Sequence, residues 1–181
     1  MINIPKRKYN IFLLGDVQVG KTSFVKKLRD SPFNPDEFPT IGCDVYLDKV
    51  VFGNDKSSDI KIFDPSGNEK YKENYTSFLK LADAFVLMFS LNNMDSFQHL
   101  ENWYGMIEEF RKKKNCPCIL VGSKSDLKGT VPQQEILNFS QNKNIEYLEV
   151  SNSSEPDQTK PIFTRMLQII YFAFNGEPSE S

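Results

Sequence analysis

A chain of 181 residues, 39% hydrophobic and 25% charged, has the length of one domain with a sizeable core. Its formal charge of -2 supplies no field that would hold nucleic acid or an anionic bilayer, so any phosphate must be gripped locally. Cys43, Cys116 and Cys118 are too few and too irregularly spaced for a disulfide framework or a zinc site, which points to a reducing cytosol.

The basic cluster Lys6-Arg7-Lys8 leads into Tyr9–Leu14, an apolar run of strand length and too short for a signal peptide or a membrane span. Thr22–Asp30 carries a helical pattern. Cys43–Phe52 and Ile60–Asp64 are strand-like, and the polar break Gly53-Asn54-Asp55-Lys56 between them predicts a hairpin and one antiparallel pair. Ala84–Ser90 and Pro117–Val121 follow, separated by a helix over Met94–Lys113. Within these two strands Phe85–Phe89 and Ile119–Val121 are apolar without alternation, as strands covered on both faces are. A helix over Pro132–Asn142, a strand over Ile145–Val150 and a helix over Pro161–Phe174 complete the series, with both prolines in first-turn positions. Alternating strands and helices predict a largely parallel sheet, which the hairpin makes mixed. One domain over 1–174 and a short polar, disordered tail over 175–181 are expected.

Chemistry concentrates first in Gly15-Asp16-Val17-Gln18-Val19-Gly20-Lys21-Thr22, where two glycines separated by four residues precede Lys and Thr. The run follows a strand and opens a helix. In that setting backbone N–H groups and the helix N-terminus wrap a β-phosphate, Lys21 reaches β- and γ-oxygens, and the Thr22 hydroxyl ligates Mg²⁺. Such a loop fixes phosphate binding and leaves the base open.

The base is argued from Ser123-Lys124-Ser125-Asp126 at the end of the fifth strand. With these motifs, the stretch from about Tyr9 to Phe174 resembles the Rab branch of the Ras-like small GTPases. The resemblance implies a three-layer α/β P-loop NTPase G domain: a mostly parallel six-stranded sheet, one antiparallel edge pair, and helices on both faces. It implies GTP and GDP as ligands, Mg²⁺ as cofactor, protein effectors and regulators at two switch regions, and a monomer. Asp126 then stands for the carboxylate that reads guanine, and Lys124 lays its stem over the ring. Ser151-Asn152-Ser153 meets the guanine oxygen by backbone. Val17, Gln18, Val19, Gly20, Lys21, Thr22 and Ser23 hold the phosphates, and Phe33 packs edge-on against the base. Thr40 and Gly67 meet the γ-phosphate, while Thr22, Thr40 and Asp64 hold the metal. Lys21 and Asn68 are the expected catalytic pair.

Departures from the family pattern set further expectations. Ser123 stands for Asn and Asn152-Ser153 for Ala-Lys, which predicts that contacts tying these loops together are lost. Asn68 stands for the Gln that orients attacking water, and Val17 puts a branched side chain beside the γ-phosphate, so slow GTP hydrolysis is expected. A nucleotide-holding scaffold with negligible turnover is the alternative. A phosphotransfer kinase would need clustered arginines, and Arg7, Arg29, Arg111 and Arg165 are scattered. Val45, Phe63 and Phe78 occupy the three aromatic positions that Rab effectors read. His99 and Trp103 read as structural, and Arg111-Lys112-Lys113-Lys114 as a solvated helix end. No cysteine follows Cys118 to carry a prenyl group, so a cytoplasmic protein is expected, peripheral to endomembranes only through a lipidated tail beyond this sequence.

Overall fold

A computed structural model describes residues 8–31, 34, 36, 38–52, 56–153 and 159–175. Among the described residues there are six strands: β1 Lys8–Leu14, β2 Cys43–Phe52, β3 Lys56–Pro65, β4 Ala84–Ser90, β5 Cys118–Ser123 and β6 Glu146–Val150. They form one sheet in the order β2-β3-β1-β4-β5-β6. β2 pairs antiparallel with β3 at the edge, and every other pairing is parallel. The fold is therefore the expected P-loop α/β architecture. The hairpin break at 53–55 and the tail at 176–181 lie outside the described residues.

The helices are α1 Lys21–Leu28, α2 Lys72–Thr76, α3 Met94–Gln98, α4 Leu100–Lys114, α5 Gln133–Lys143 and α6 Thr159–Asn175. Alternation along β1 divides the core in two: Ile11 and Leu13 face α1 and α6, whereas Phe12 and Leu14 join the cluster that includes α4 and α5. α6 buries Phe163, Met166, Leu167 and Ile170, spaced i, i+3, i+4, i+7, and α4 buries Leu100, Trp103, Tyr104 and Ile107 at the same spacing. Each such side chain contributes about 1.5–3 kcal/mol through burial. Central β4 is buried along its whole length, as its unbroken apolar run predicts.

Three differences from the sequence reading have physical causes. β3 starts at Lys56, because register with β2 continues to Phe52 although residues 56–59 are polar. The expected helix over Met94–Lys113 is two helices meeting at His99, whose carbonyl accepts from both Asn102 and Trp103 at 3.0 and 3.2 Å. Pro132 caps α5 in an extended conformation instead of lying inside it. In the basic run ending α4, Lys112 pairs with Glu108 at 2.9 Å and is exposed, whereas Arg111 turns inward and donates to the Tyr104 hydroxyl at 2.9 Å; Asn115 closes the helix in a left-handed conformation.

Candidate nucleotide site

Loops at the carboxyl ends of β1, β3, β5 and β6 converge on a cavity of about 540 Å³. Gly15 starts the first loop at φ 147°, where a Cβ would stand 2.0 Å from the Met88 carbonyl oxygen. Gln18 follows at φ 62°, a left-handed conformation that stores on the order of 1–2 kcal/mol in a non-glycine residue. Val17, Gln18, Gly20, Lys21, Thr22 and Ser23 line the cavity. Val19 does not: it is buried beneath the loop.

Lys21 is 6% exposed and donates from Nζ to the carbonyls of Gly15 and Asp16, both at 2.9 Å. Burial pushes its ammonium down to about 8, opposed by the nearby carboxylates of Asp64 and Asp16. Beside it the Thr22 hydroxyl donates to Asp64 Oδ2 at 2.5 Å and lies 3.0 Å from the Thr40 hydroxyl. The three expected metal ligands are thus brought together. Two hydroxyls and one carboxylate are hard oxygen donors, too few for an all-protein cage and suited to an ion that shares its shell with phosphates and water, as Mg²⁺ does. Among the described residues no three His, Cys, Asp or Glu side chains form a cage that would suit a softer metal.

At the opposite end of the cavity lie Lys124, Asp126, Asn152 and Ser153. The Ser151 hydroxyl donates to Asp126 Oδ1, and that bond holds the Asp126 carboxyl below the ordinary aspartate range. Ser123 and Ser151 lie outside the lining and support it. Against expectation the loops remain tied: the Ser123 hydroxyl donates to the Val19 carbonyl at 2.5 Å, and Asn152 Nδ2 donates to the Gly20 carbonyl at 3.1 Å. A shorter side chain at 123 still reaches, and the amide at 152 adds a second bond.

Gly67 closes the cavity against the first loop, so near that a Cβ there would fall 2.2 Å from the Asp16 carbonyl carbon. Asn68 is turned elsewhere. It is exposed, does not line the cavity, and its Oδ1 accepts from the Lys70 N–H at 3.0 Å. Phe33 lies outside the described residues. Of the three effector-reading positions Val45 and Phe78 are half exposed, but Phe63 is buried and stacked on Phe12 at 4.3 Å, so they do not form one exposed set. Sequence reasoning missed Asn34, Phe38, Pro39 and Leu127 in the lining. Leu127 adjoins Asp126, the residue expected to read the base, which was the available signal; the other three sit in a segment with no periodic pattern.

The phosphate end of this cavity, a buried lysine and a helix N-terminus behind a glycine loop, makes the chain a P-loop nucleotide-binding protein. The model of the Ras family matches residues 10–171. Ras-related protein Rab-3D of Mus musculus is 32% identical over 177 residues, covering 96% of this chain and 80% of the relative. Ras-related protein Rab-32D of Dictyostelium discoideum is 36% identical over 165 residues, 85% of this chain and 71% of the relative. Ras-related protein Rab-27B of Rattus norvegicus is 30% identical, over 85% and 76%. The chain belongs to the Ras family, as a Rab-like small GTPase.

Proposed function

We propose that this chain alternates between GDP- and GTP-bound forms with Mg²⁺, hydrolyses GTP slowly, and serves vesicle trafficking through protein effectors. Asp126 reads guanine, its carboxylate accepting from two adjacent donors that adenine does not present together. Lys21 grips the β- and γ-phosphates, and Thr22, Thr40 and Asp64 would hold the Mg²⁺. Bound there, the ion neutralises charge that develops on the phosphates. Thr40 and Gly67 gain contacts only when a γ-phosphate is present, which makes their loops the switches. Exposed Phe38, Ile41, Val45 and Phe78 then offer apolar surface to effectors. Among the described residues no helix is long and apolar enough to cross a membrane.

Slow hydrolysis is supported above all by Asn68, whose amide oxygen is committed to Lys70 and which is one methylene short of a glutamine. Losing a water-orienting group costs on the order of 10²–10³ in rate. Val17, which lines the cavity, adds bulk where water and transition-state oxygens rearrange. Single-turnover hydrolysis with Mg²⁺ tests this. Asn68→Gln should recover part of the rate, and Asn68→Gln with Val17→Gly more than either change alone. A wild-type rate equal to that of glutamine-bearing relatives, or a double variant no faster than wild type, contradicts the proposal. Nucleotide retention with no turnover in any variant would favour the scaffold reading.

A further inference from the structure

We infer that Asp16, His99 and Trp103 form a clamp that positions the phosphate loop from outside the cavity, so that His99 and Trp103 are positioning residues for nucleotide retention. Asp16 is the second residue of the loop, and its side chain turns to α4. His99 Nδ1 lies 2.6 Å from Asp16 Oδ2, and the Trp103 indole N–H donates to Asp16 Oδ1 at 2.7 Å. A carboxylate only accepts, so the histidine proton is assigned to Nδ1. Each oxygen thus has its own donor, and bonds to a charged acceptor are the stronger kind.

Both donors come from one rigid face. His99 and Trp103 are four residues apart at the start of α4 and project on the same side. Trp103 is 4% exposed, with Leu100 and Ile107 in the same core cluster, so its indole has little freedom to follow a moving loop. Lys72 of α2 adds a cation 5.7 Å from the centre of the indole ring.

The captured residue is also the one on which the site is built. The Asp16 carbonyl accepts from Lys21 Nζ at 2.9 Å, and the Asp16–Val17 peptide is the surface against which Gly67 closes. One anchored side chain therefore fixes the height of both the phosphate-gripping lysine and the switch glycine. Displacement by about an ångström is enough to matter for groups that act by position. None of the three clamp residues lines the cavity, so the effect is transmitted through Asp16 backbone and not by contact with ligand.

The measurement is release of GDP carrying a fluorescent N-methylanthraniloyl group from the full chain. His99→Ala and Trp103→Phe should each speed release about tenfold, the scale of one lost bond to a charged group. His99→Asn should stay within about twofold of wild type, because its amide nitrogen takes the place of imidazole Nδ1. His99 is half exposed, so its variants fold even if Trp103→Phe does not. The inference rests on the guanine-nucleotide reading only for its probe: retention by wild type tests that reading, and the variant-to-wild-type ratio tests this one. Melting temperatures that fall while release stays at the wild-type rate would mark a merely structural contact and overturn the clamp. So would His99→Asn releasing as fast as His99→Ala.

Discussion

The hydroxyl of Ser123 donates to the carbonyl of Val19 across 104 residues of sequence, sharing its proton with the Phe89 carbonyl at 2.9 Å. The next carbonyl along the loop, that of Gly20, accepts from Asn152. Two consecutive peptide groups of the phosphate loop are thus held from the carboxyl ends of β5 and β6. Asn152 Oδ1 is buried with no partner among the described residues, so the side chain is ordered by its nitrogen alone.

The two bridges should act as one unit. Ser123→Ala and Asn152→Ala should each speed GDP release about tenfold, since each removes a buried bond worth roughly 1–1.5 kcal/mol. The double variant should fall short of the product of the two effects, because the loop has moved once either bridge is gone. Release rates of all four proteins form the cycle. A double effect equal to the product would show that the bridges are independent.

Lys21→Met should abolish GTP binding without destabilising the nucleotide-free protein. Burial disfavours the ammonium enough to bring it down to about 8, and methionine keeps the stem without the charge. Against that gain stand two carbonyls that lose a donor and the Asp64 and Asp16 carboxylates that lose a neighbouring cation, so the net change should be near zero. Denaturant unfolding of nucleotide-free protein is the check, and destabilisation beyond ~1 kcal/mol would contradict it.

Asp126→Asn should move preference from guanine to xanthine nucleotides. An amide nitrogen donates where the carboxylate accepted, matching the carbonyl that xanthine carries in place of the amino group. Competition of XDP and GDP for the variant reads this out. ATP competing with GTP on the wild-type protein as well as GDP does would show that Asp126 is not the base reader.

Gly67→Ala should leave the fold intact and uncouple the switch. The new methyl would meet backbone of Asp16 and Val17 at 2.2–2.3 Å, so the loop after β3 must withdraw. Hydrogen exchange over residues 64–75 should then be the same with GDP and with a non-hydrolysable GTP analogue, while the wild type distinguishes them. Nucleotide-dependent protection persisting in the variant would refute the role given to Gly67.

Much of this was legible because the signals are local. Cys43–Phe52 and Ala84–Ser90 were read to the residue from apolar runs, and Gly15–Thr22 from spacing alone. α2, five residues long, is too short to show a helical period. The break at His99 was hidden because the apolar pattern runs on through it. The clamp on Asp16 was illegible for a different reason. Its partners are 83 and 87 residues away, and each alone looks like an ordinary helix residue. The direction of Asn68 also escaped, since an Asx turn to Lys70 depends on where the backbone goes and not on residue type.

Thr40 and Gly67 sit just beyond the two strand ends of the β2–β3 hairpin, where Cys43 lies opposite Pro65 and the Ser66 N–H donates to the Gly42 carbonyl at 2.8 Å. The hairpin therefore works as a ruler between Thr40 and Gly67. Side chains alternate along a strand, so one residue inserted into the paired stretch of β3 ahead of Asp64 would turn Asp64 to the opposite face of the sheet, away from Thr22. Chain length through this hairpin is thus under tighter constraint than the identity of its exposed residues. Exposed Leu47 can be exchanged for another side chain; the count of residues from Thr40 to Gly67 along the paired strands cannot change so freely.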